Sequence, residues 1–169
     1  MKLTKQGVPV EDLISTVKAS LARAGVSSTS PSRDLSVASV QLILNVVASS
    51  KGGGQLEFCV PFIGMKLSLG TQVTKEDTHT VDITLVPPAL GAARPVRGGD
   101  IEEVLVNAIT SIRAATAKAA EGDDPWALAE STIDISFVIT RTGSMSIGAE
   151  GELSGTLANT LRLKLEPAR

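Results

Sequence analysis

Residues 80–88 read T-V-D-I-T-L-V-P-P, and residues 160–167 repeat the pattern as T-L-R-L-K-L-E-P. In both stretches apolar side chains alternate with polar ones, and a period of two is typical of a β-strand with one buried face. Prolines end both strands, because proline cannot donate a hydrogen bond to a sheet. The similarity of the two stretches predicts that the chain contains one structural unit in two copies.

A helix is predicted ahead of the strands in each copy. Between residues 9 and 24, five apolar residues fall at helical spacing and share one stripe: Val10, Leu13, Ile14, Val17 and Leu21. Pro9 suits a first helical turn, and Gly25 favours a stop. The second helix is predicted over residues 101–120 from a second apolar stripe: Ile101, Val104, Leu105, Ala108, Ile109 and Ile112. Its opening I-E-E-V-L matches V-E-D-L-I in the first copy.

Alternating apolar residues predict the strands that follow each helix. In the first copy these are 36–49, one long bent strand or two short ones within 56–73, and 80–86. In the second copy they are 133–140, 145–149 and 160–167. The predicted fold class is therefore α+β: two α-β-β-β repeats, each an antiparallel meander with one amphipathic helix packed on it.

Turn-forming residues separate the two predicted copies. Residues 90–99 read L-G-A-A-R-P-V-R-G-G, a composition typical of a connector. We therefore predict a first repeat over residues 1–90, a linker over 91–99, and a second, diverged repeat over 100–169.

Composition excludes several classes of function. Apolar residues make up 43% of the chain and aromatic residues only 2%, so the core is expected to be aliphatic. A net charge of −2 and the scarcity of aromatic rings argue against nucleic-acid binding. Cys59 is the only cysteine, which favours a reducing compartment. No leader peptide and no membrane-spanning run are recognised, so a cytoplasmic protein is expected.

The residues able to carry chemistry do not form a recognisable set. His79 is the only histidine, and no G-x-S-x-G motif supplies a nucleophile for it. One histidine and one cysteine cannot make a zinc site. The acidic pairs are interpreted as helix-end or loop residues rather than cation ligands: Glu11 with Asp12, Glu102 with Glu103, and Asp123 with Asp124. We therefore expect no catalytic residue, no metal site and no cofactor, and do not expect an enzyme.

Some predicted strands also carry apolar residues on the face opposite their main apolar face, and these residues are candidate partner-binding positions. Ile43 and Val47 share the second face of the strand at 36–49, and Cys59 lies on the face of its strand opposite Phe58. We predict that Ile43, Val47 and Cys59 contribute to partner binding. Trp126 and Leu128 precede a strand of the second copy and are expected to cap the end of the core.

The first copy resembles the trypsin-co-occurring domain of bacteria, second type. The resemblance covers residues 8–88 and is carried by V-E-D-L-I at 10–14, L-E-F-C-V at 56–60 and T-H-T-V-D-I-T-L-V-P at 78–87. The second copy has A-N-T at 158–160 in place of the T-H-T motif, so it is similar to the family only through its echo of the first copy.

The resemblance implies a function without catalysis. Members of this family are small modules found beside trypsin-like peptidases and other effectors in bacterial conflict systems, where they are thought to act as adaptors. It therefore implies a non-enzymatic interaction, adaptor or assembly module of a bacterial defence or peptidase-associated system. Self-association or a protein partner is expected, with a trypsin-like peptidase or effector encoded nearby as a candidate. The alternative is a protein that binds a small apolar ligand in a groove between helix and sheet.

Overall fold

The computed structural model describes residues 2–27, 34–50, 53–62, 78–87, 102–122, 125–143, 145–146 and 158–168. The elements within them are, in chain order, β1 (Val8–Pro9), α1 (Val10–Arg23), β2 (Leu35–Ser50), β3 (Leu56–Val60), β4 (His79–Leu85), α2 (Glu102–Ala119), β5 (Ser131–Ile139), β6 (Met145–Ser146) and β7 (Asn159–Pro167). The α+β class is confirmed, and both helices lie where the periodicity predicts them. The predicted linker at 91–99 and the possible strand at 65–73 lie outside the described residues.

Helix α1 ends as its sequence predicts. Gly25 adopts a positive φ of 70°, a conformation that glycine reaches at little cost. The Val26 N–H then donates to the Leu21 carbonyl and the Gly25 N–H donates to the Ala22 carbonyl. These two bonds form a Schellman motif, which satisfies carbonyls that the end of a helix would otherwise leave unpaired.

The strand order departs from the predicted meanders. The described strands form one sheet in the order β1-β3-β2-β7-β5-β6, and β4 pairs with β2. In a meander β6 would lie between β5 and β7, but β5 occupies that central place. The meander prediction is therefore wrong. A physical reason is the length of β2: only its last residues, 47–50, pair with β3, and the rest of this 16-residue strand can pair with other strands. The α-β-β-β order of elements occurs twice along the chain, but a two-repeat architecture stays a prediction.

Contacts divide the chain into two compact units. The first comprises residues 1–14, 41–83 and 134–161, and its buried residues include Val8, Leu42, Leu44, Phe137 and Ile139. The second comprises residues 15–40, 84–133 and 162–169, with Val17, Leu35, Leu105, Ile109 and Leu163 among its buried residues. Both cores are mainly aliphatic, as the composition predicts. The predicted boundaries of the repeats stay a prediction.

The two similar proline-ended strands are buried to different extents. In β7 the apolar residues Leu161, Leu163 and Leu165 are all fully buried. In β4 the corresponding Val81, Ile83 and Leu85 are only half-buried. Strand β7 lies between β2 and β5, whereas β4 pairs only with β2 among the described strands. The position in the sheet therefore sets the burial of two strands that share one pattern.

A buried asparagine connects neighbouring strands in the first unit. Asn159 is 1% exposed at the start of β7, and its Oδ1 accepts a hydrogen bond of 2.9 Å from the Asn45 backbone N–H. Its Nδ2 donates to the Phe137 carbonyl at 3.4 Å, while the Asn45 side chain donates to the Ala158 carbonyl. A buried amide satisfied in this way favours one strand register, since any slip would leave it unpaired.

In the part of the chain that the structure describes, neither helix is both long and apolar enough to cross a membrane.

Candidate functional site

The three residues predicted to bind a partner share one region of the sheet. Val47 and Cys59 are direct cross-strand neighbours, and Ile43 lies on the same face of β2 as Val47. Val47 and Cys59 are buried, while Ile43 is half-buried. The hydroxyl of Thr4 lies 3.7 Å from the Cys59 sulfur, so the chain's own N-terminal segment contacts this thiol. A role for these residues in partner binding stays a prediction.

The two residues considered for catalysis, His79 and Cys59, differ in their exposure to solvent. His79 is exposed at the first residue of β4, and Cys59 is fully buried. Within the described ranges, no three histidine, cysteine, aspartate or glutamate side chains are grouped so that they could hold a metal ion.

Helix α2 changes character along its buried stripe. Leu105 and Ile109 are fully buried, but the next positions on the stripe, at four-residue spacing, are Arg113 and Ala117. Alanine is much shorter than leucine and arginine carries a charge, so the last two turns fill less space than the first two. This sequence change places an open cleft beside the C-terminal half of the helix.

The cleft has a volume of about 480 Å³, and its walls are mainly apolar. It is lined by the C-terminal half of α2, the segment that follows it, and the ends of two strands: Arg113, Thr116, Ala117, Ala120, residues 125–128, Asp34, Leu35 and Pro167. All of these residues belong to the second compact unit. Pockets of this size commonly hold small ligands or side chains of a partner. The predicted alternative, a small apolar ligand between helix and sheet, stays a prediction.

Trp126 is held at the rim of this cleft by its backbone. Gly122, with a φ of 93°, is in the left-handed region just beyond the end of α2. The Trp126 N–H donates a hydrogen bond of 2.9 Å to the Ala119 carbonyl. The side chain is nevertheless 69% exposed, so the prediction that Trp126 caps the core is wrong. Leu128, its companion in that prediction, is half-buried and lines the same cleft.

An ion pair marks the other end of the cleft. Arg113 Nε lies 2.9 Å from both carboxylate oxygens of Asp34, and Arg113 Nη2 lies 2.7 Å from Asp34 Oδ1. Arg113 Nη1 also donates to the Ala24 carbonyl beyond α1. The hydrogen bonds from Arg113 hold the pKa of the Asp34 carboxyl below its ordinary value of 3.8. One guanidinium thus joins α2, the end of α1 and the residue before β2.

Sequence reasoning missed this ion pair. Asp34 and Arg113 are 79 residues apart, so no local pattern relates them. The available signal was a single charged residue on the apolar stripe of α2, four positions after Ile109. A charge at such a position indicates that the stripe leaves the core or that a partner carboxylate lies opposite.

Arg113→Ala is expected to lower the free energy of unfolding by about 1–2 kcal/mol at neutral pH, since it removes several charge-assisted hydrogen bonds from a partly exposed site. The folded-state pKa of Asp34 lies below its unfolded value, so this stabilisation is present above pH 3.8 and is lost as the pH falls through the folded pKa. Urea unfolding of both proteins should therefore show a difference that shrinks in acid. A difference independent of pH would contradict the assignment, and Lys5→Ala, at an exposed lysine of the other unit, is the control.

Comparison with known proteins finds a match for one part of the chain. The family model described as trypsin-co-occurring domain 2 matches residues 8–87, which include α1 and β1 to β4. A search of curated proteins and a search of solved structures find no match. Asp34 and Leu35 of the cleft lie within the matched segment, whereas the α2 wall and the Trp126 segment lie outside it.

Proposed function

Residues 8–87 of this chain belong to the trypsin-co-occurring domain 2 family, and from this premise we propose that the protein is a non-enzymatic adaptor or assembly module of a bacterial peptidase-associated or defence system. The observation that carries the proposal is the extent of the match. It spans helix α1 and strands β1 to β4 rather than a short motif. The family's name associates it with trypsin-like peptidases.

The described surface is compatible with a protein-binding role. Leu56 and Phe58 project from the same face of β3 and are 69% and 44% exposed. Trp126 is exposed in the other unit. Large apolar side chains that remain in water support an interaction surface, because burying them in a complex releases ordered water.

The proposal excludes catalysis by the chain itself. Cys59 is fully buried, so a substrate has no direct access to its sulfur. We expect no turnover of ester or peptide substrates by the purified protein. A hydrolytic rate that His79→Ala abolishes, while the fold is retained by circular dichroism, would contradict this part of the proposal.

The main test is association with another protein. The full chain should be purified alone and together with a trypsin-like peptidase encoded beside it, and the molar mass should be measured by light scattering. We expect either a mass above the 17.5 kDa of one chain or a complex with the peptidase. An unrelated trypsin-like protease is the matched control and should not co-elute. A strict monomer that binds no neighbouring gene product would count against the proposal.

A further inference from the structure

We propose that the cleft beside Trp126 is an interface between two copies of this chain, in which the indole of each copy enters the cleft of the other. This dimer deepens the proposed function, on which it rests for the expectation that the protein associates. It names one partner, a second copy, and the residues that bind it. Three properties of the described residues support it: an exposed indole, the small side chains of the cleft, and the balance of charge around them.

Trp126 supplies the side chain that a second copy would bury. It is 69% exposed, although its backbone is fixed by the 2.9 Å hydrogen bond from its N–H to the Ala119 carbonyl. A large side chain whose backbone is already held in place loses less freedom on binding, so more of the contact energy contributes to affinity. Tryptophan is also among the residues that contribute most to binding energy at protein interfaces.

The cleft has the size and shape to receive such a ring. Its volume of about 480 Å³ lies within the range of pockets that hold drug-sized ligands, and an indole is smaller than these. Ala117 and Ala120 lie about one helical turn apart on its α2 wall, and both are exposed. Because alanine projects only a methyl group, a flat ring can approach the backbone of α2 closely. The indole and this alanine wall are therefore complementary in shape.

One chain carries both halves of the contact on the same surface. Trp126 and the alanine wall line a single cleft within the second compact unit. A two-fold axis places a surface patch against its own copy, so a patch that has both a projecting group and a space for that group is satisfied twice in one dimer. An unrelated partner would need its own projecting group and its own space to cover this surface equally well. The geometry therefore favours a second copy.

The charges at the cleft permit contact between identical surfaces. Arg113 and Asp34 are the charged residues among the described lining, and they pair with each other at 2.7 Å. Beside the alanine wall, Lys118 pairs with Glu121 at 2.7 Å. Two copies bring like charges together, so an unpaired charge on such a patch would repel its own copy. Because these charges are balanced within one chain, the patch suits a copy of itself better than a strongly acidic or basic partner.

The expected dimer is weak. An aromatic side chain buries about 150–250 Å², so one indole from each copy contributes only part of the roughly 800 Å² per partner of a standard interface. Small contacts of this kind are typical of transient association. We therefore expect an equilibrium between monomer and dimer that depends on protein concentration.

The first test measures the molar mass of the full chain by sedimentation velocity over a range of concentrations. We expect the mass to rise from the 17.5 kDa of one chain to twice that value as the concentration increases. Trp126→Ala removes the indole, and Ala117→Arg fills the cleft while keeping a good helix former in α2. Each should raise the dissociation constant of the dimer by about tenfold or more. Phe58→Ala, at an exposed aromatic residue of the other unit, is the matched control and should leave it unchanged.

The second test mixes the two cleft variants. A heterodimer of Trp126→Ala with Ala117→Arg keeps one complete contact, because the indole of the second variant meets the open cleft of the first. Neither variant can form such a contact with its own copy. The mixture should therefore associate more tightly than either variant alone. A mixture that associates no better than the separate variants would overturn the exchange of indoles.

The third test uses the fluorescence of the full chain. Trp126 is the only tryptophan, so its emission maximum should move to shorter wavelength as the ring leaves water in the dimer. A monomer at every concentration, a dimer without a change in emission, or a dimer that both cleft variants leave intact would overturn the inference. Native mass spectrometry that finds a single chain carrying a small molecule, in place of two chains, would overturn it as well.

The outcomes separate this dimer from the proposed function. If the chain binds its peptidase but stays a monomer when alone, and Trp126→Ala and Ala117→Arg leave the complex intact, the adaptor role stands and the dimer fails. If the dimer forms through the cleft but the chain also shows a hydrolytic rate that His79→Ala abolishes, the dimer stands and the non-enzymatic role fails.

Discussion

Leu163→Ala is expected to lower the free energy of unfolding by about 3–5 kcal/mol, while Ile83→Ala in the similar strand should lower it by only about 1–2 kcal/mol. Leu163 is fully buried at the middle of β7, so its truncation removes apolar contacts and leaves a cavity. Ile83 occupies the same place in the repeated pattern of β4 but is half-buried, and solvent can fill the space that its side chain vacates.

Urea unfolding of the full chain measures both changes. The two variants serve as controls for each other. Each truncates one aliphatic side chain to alanine, and the two strands share the same alternation of apolar and polar residues. Similar losses for both would contradict the central position of β7 and the peripheral position of β4. Thr84→Ala, at an exposed position of β4, is expected to change the stability by less than about 0.5 kcal/mol.

Asn159→Ala is expected to lower the free energy of unfolding by about 2–4 kcal/mol. The variant leaves the Asn45 backbone N–H and the Phe137 carbonyl without the partner that Asn159 supplies. A buried polar group that loses its partner costs about 1–3 kcal/mol, and the 3.4 Å contact to Phe137 contributes less than the 2.9 Å contact to Asn45. Thermal and urea unfolding should both show the loss.

Ser36→Ala is the matched control for Asn159→Ala. The Ser36 hydroxyl also connects β2 to the β7 backbone, but it donates to the Glu166 carbonyl at 3.5 Å from a partly buried position. Removing so long a bond should cost less than about 0.5 kcal/mol. Equal losses in the two variants, or no loss in Asn159→Ala, would show that the buried amide does not secure the strand register.

Asn159 in β7 also differs in its burial from the residue at the matching position of the similar strand β4. In the repeated pattern Asn159 stands where His79 stands in the first stretch. His79 is exposed, whereas Asn159 is buried and hydrogen-bonded to two other strands. The two matching positions of these similar stretches are therefore used differently by the structure, one at the surface and one as a buried hydrogen-bonding residue.

The amino-acid sequence by itself determines the two helices, the ends of α1 and the alternation of the main strands. These features depend on neighbours a few residues apart: the stripe of α1, the left-handed Gly25, and the period of two in β4, β5 and β7. The aliphatic core follows from composition in the same way. The segment 8–87 also carries enough local pattern to predict its match to the trypsin-co-occurring domain 2 model before any coordinates are known.

Only the tertiary structure decides which strands become neighbours, how deeply each is buried, and where a cleft opens. Strand β7 is buried and β4 is not, although their patterns are alike, because burial depends on the strands that lie on either side. The ion pair of Asp34 with Arg113 joins residues 79 positions apart, and the exposure of Trp126 follows from the way the chain turns after α2. Such contacts between distant segments leave no periodic signal in the sequence. Each of the two residues has many possible contact partners, and only the packing of the whole chain selects one.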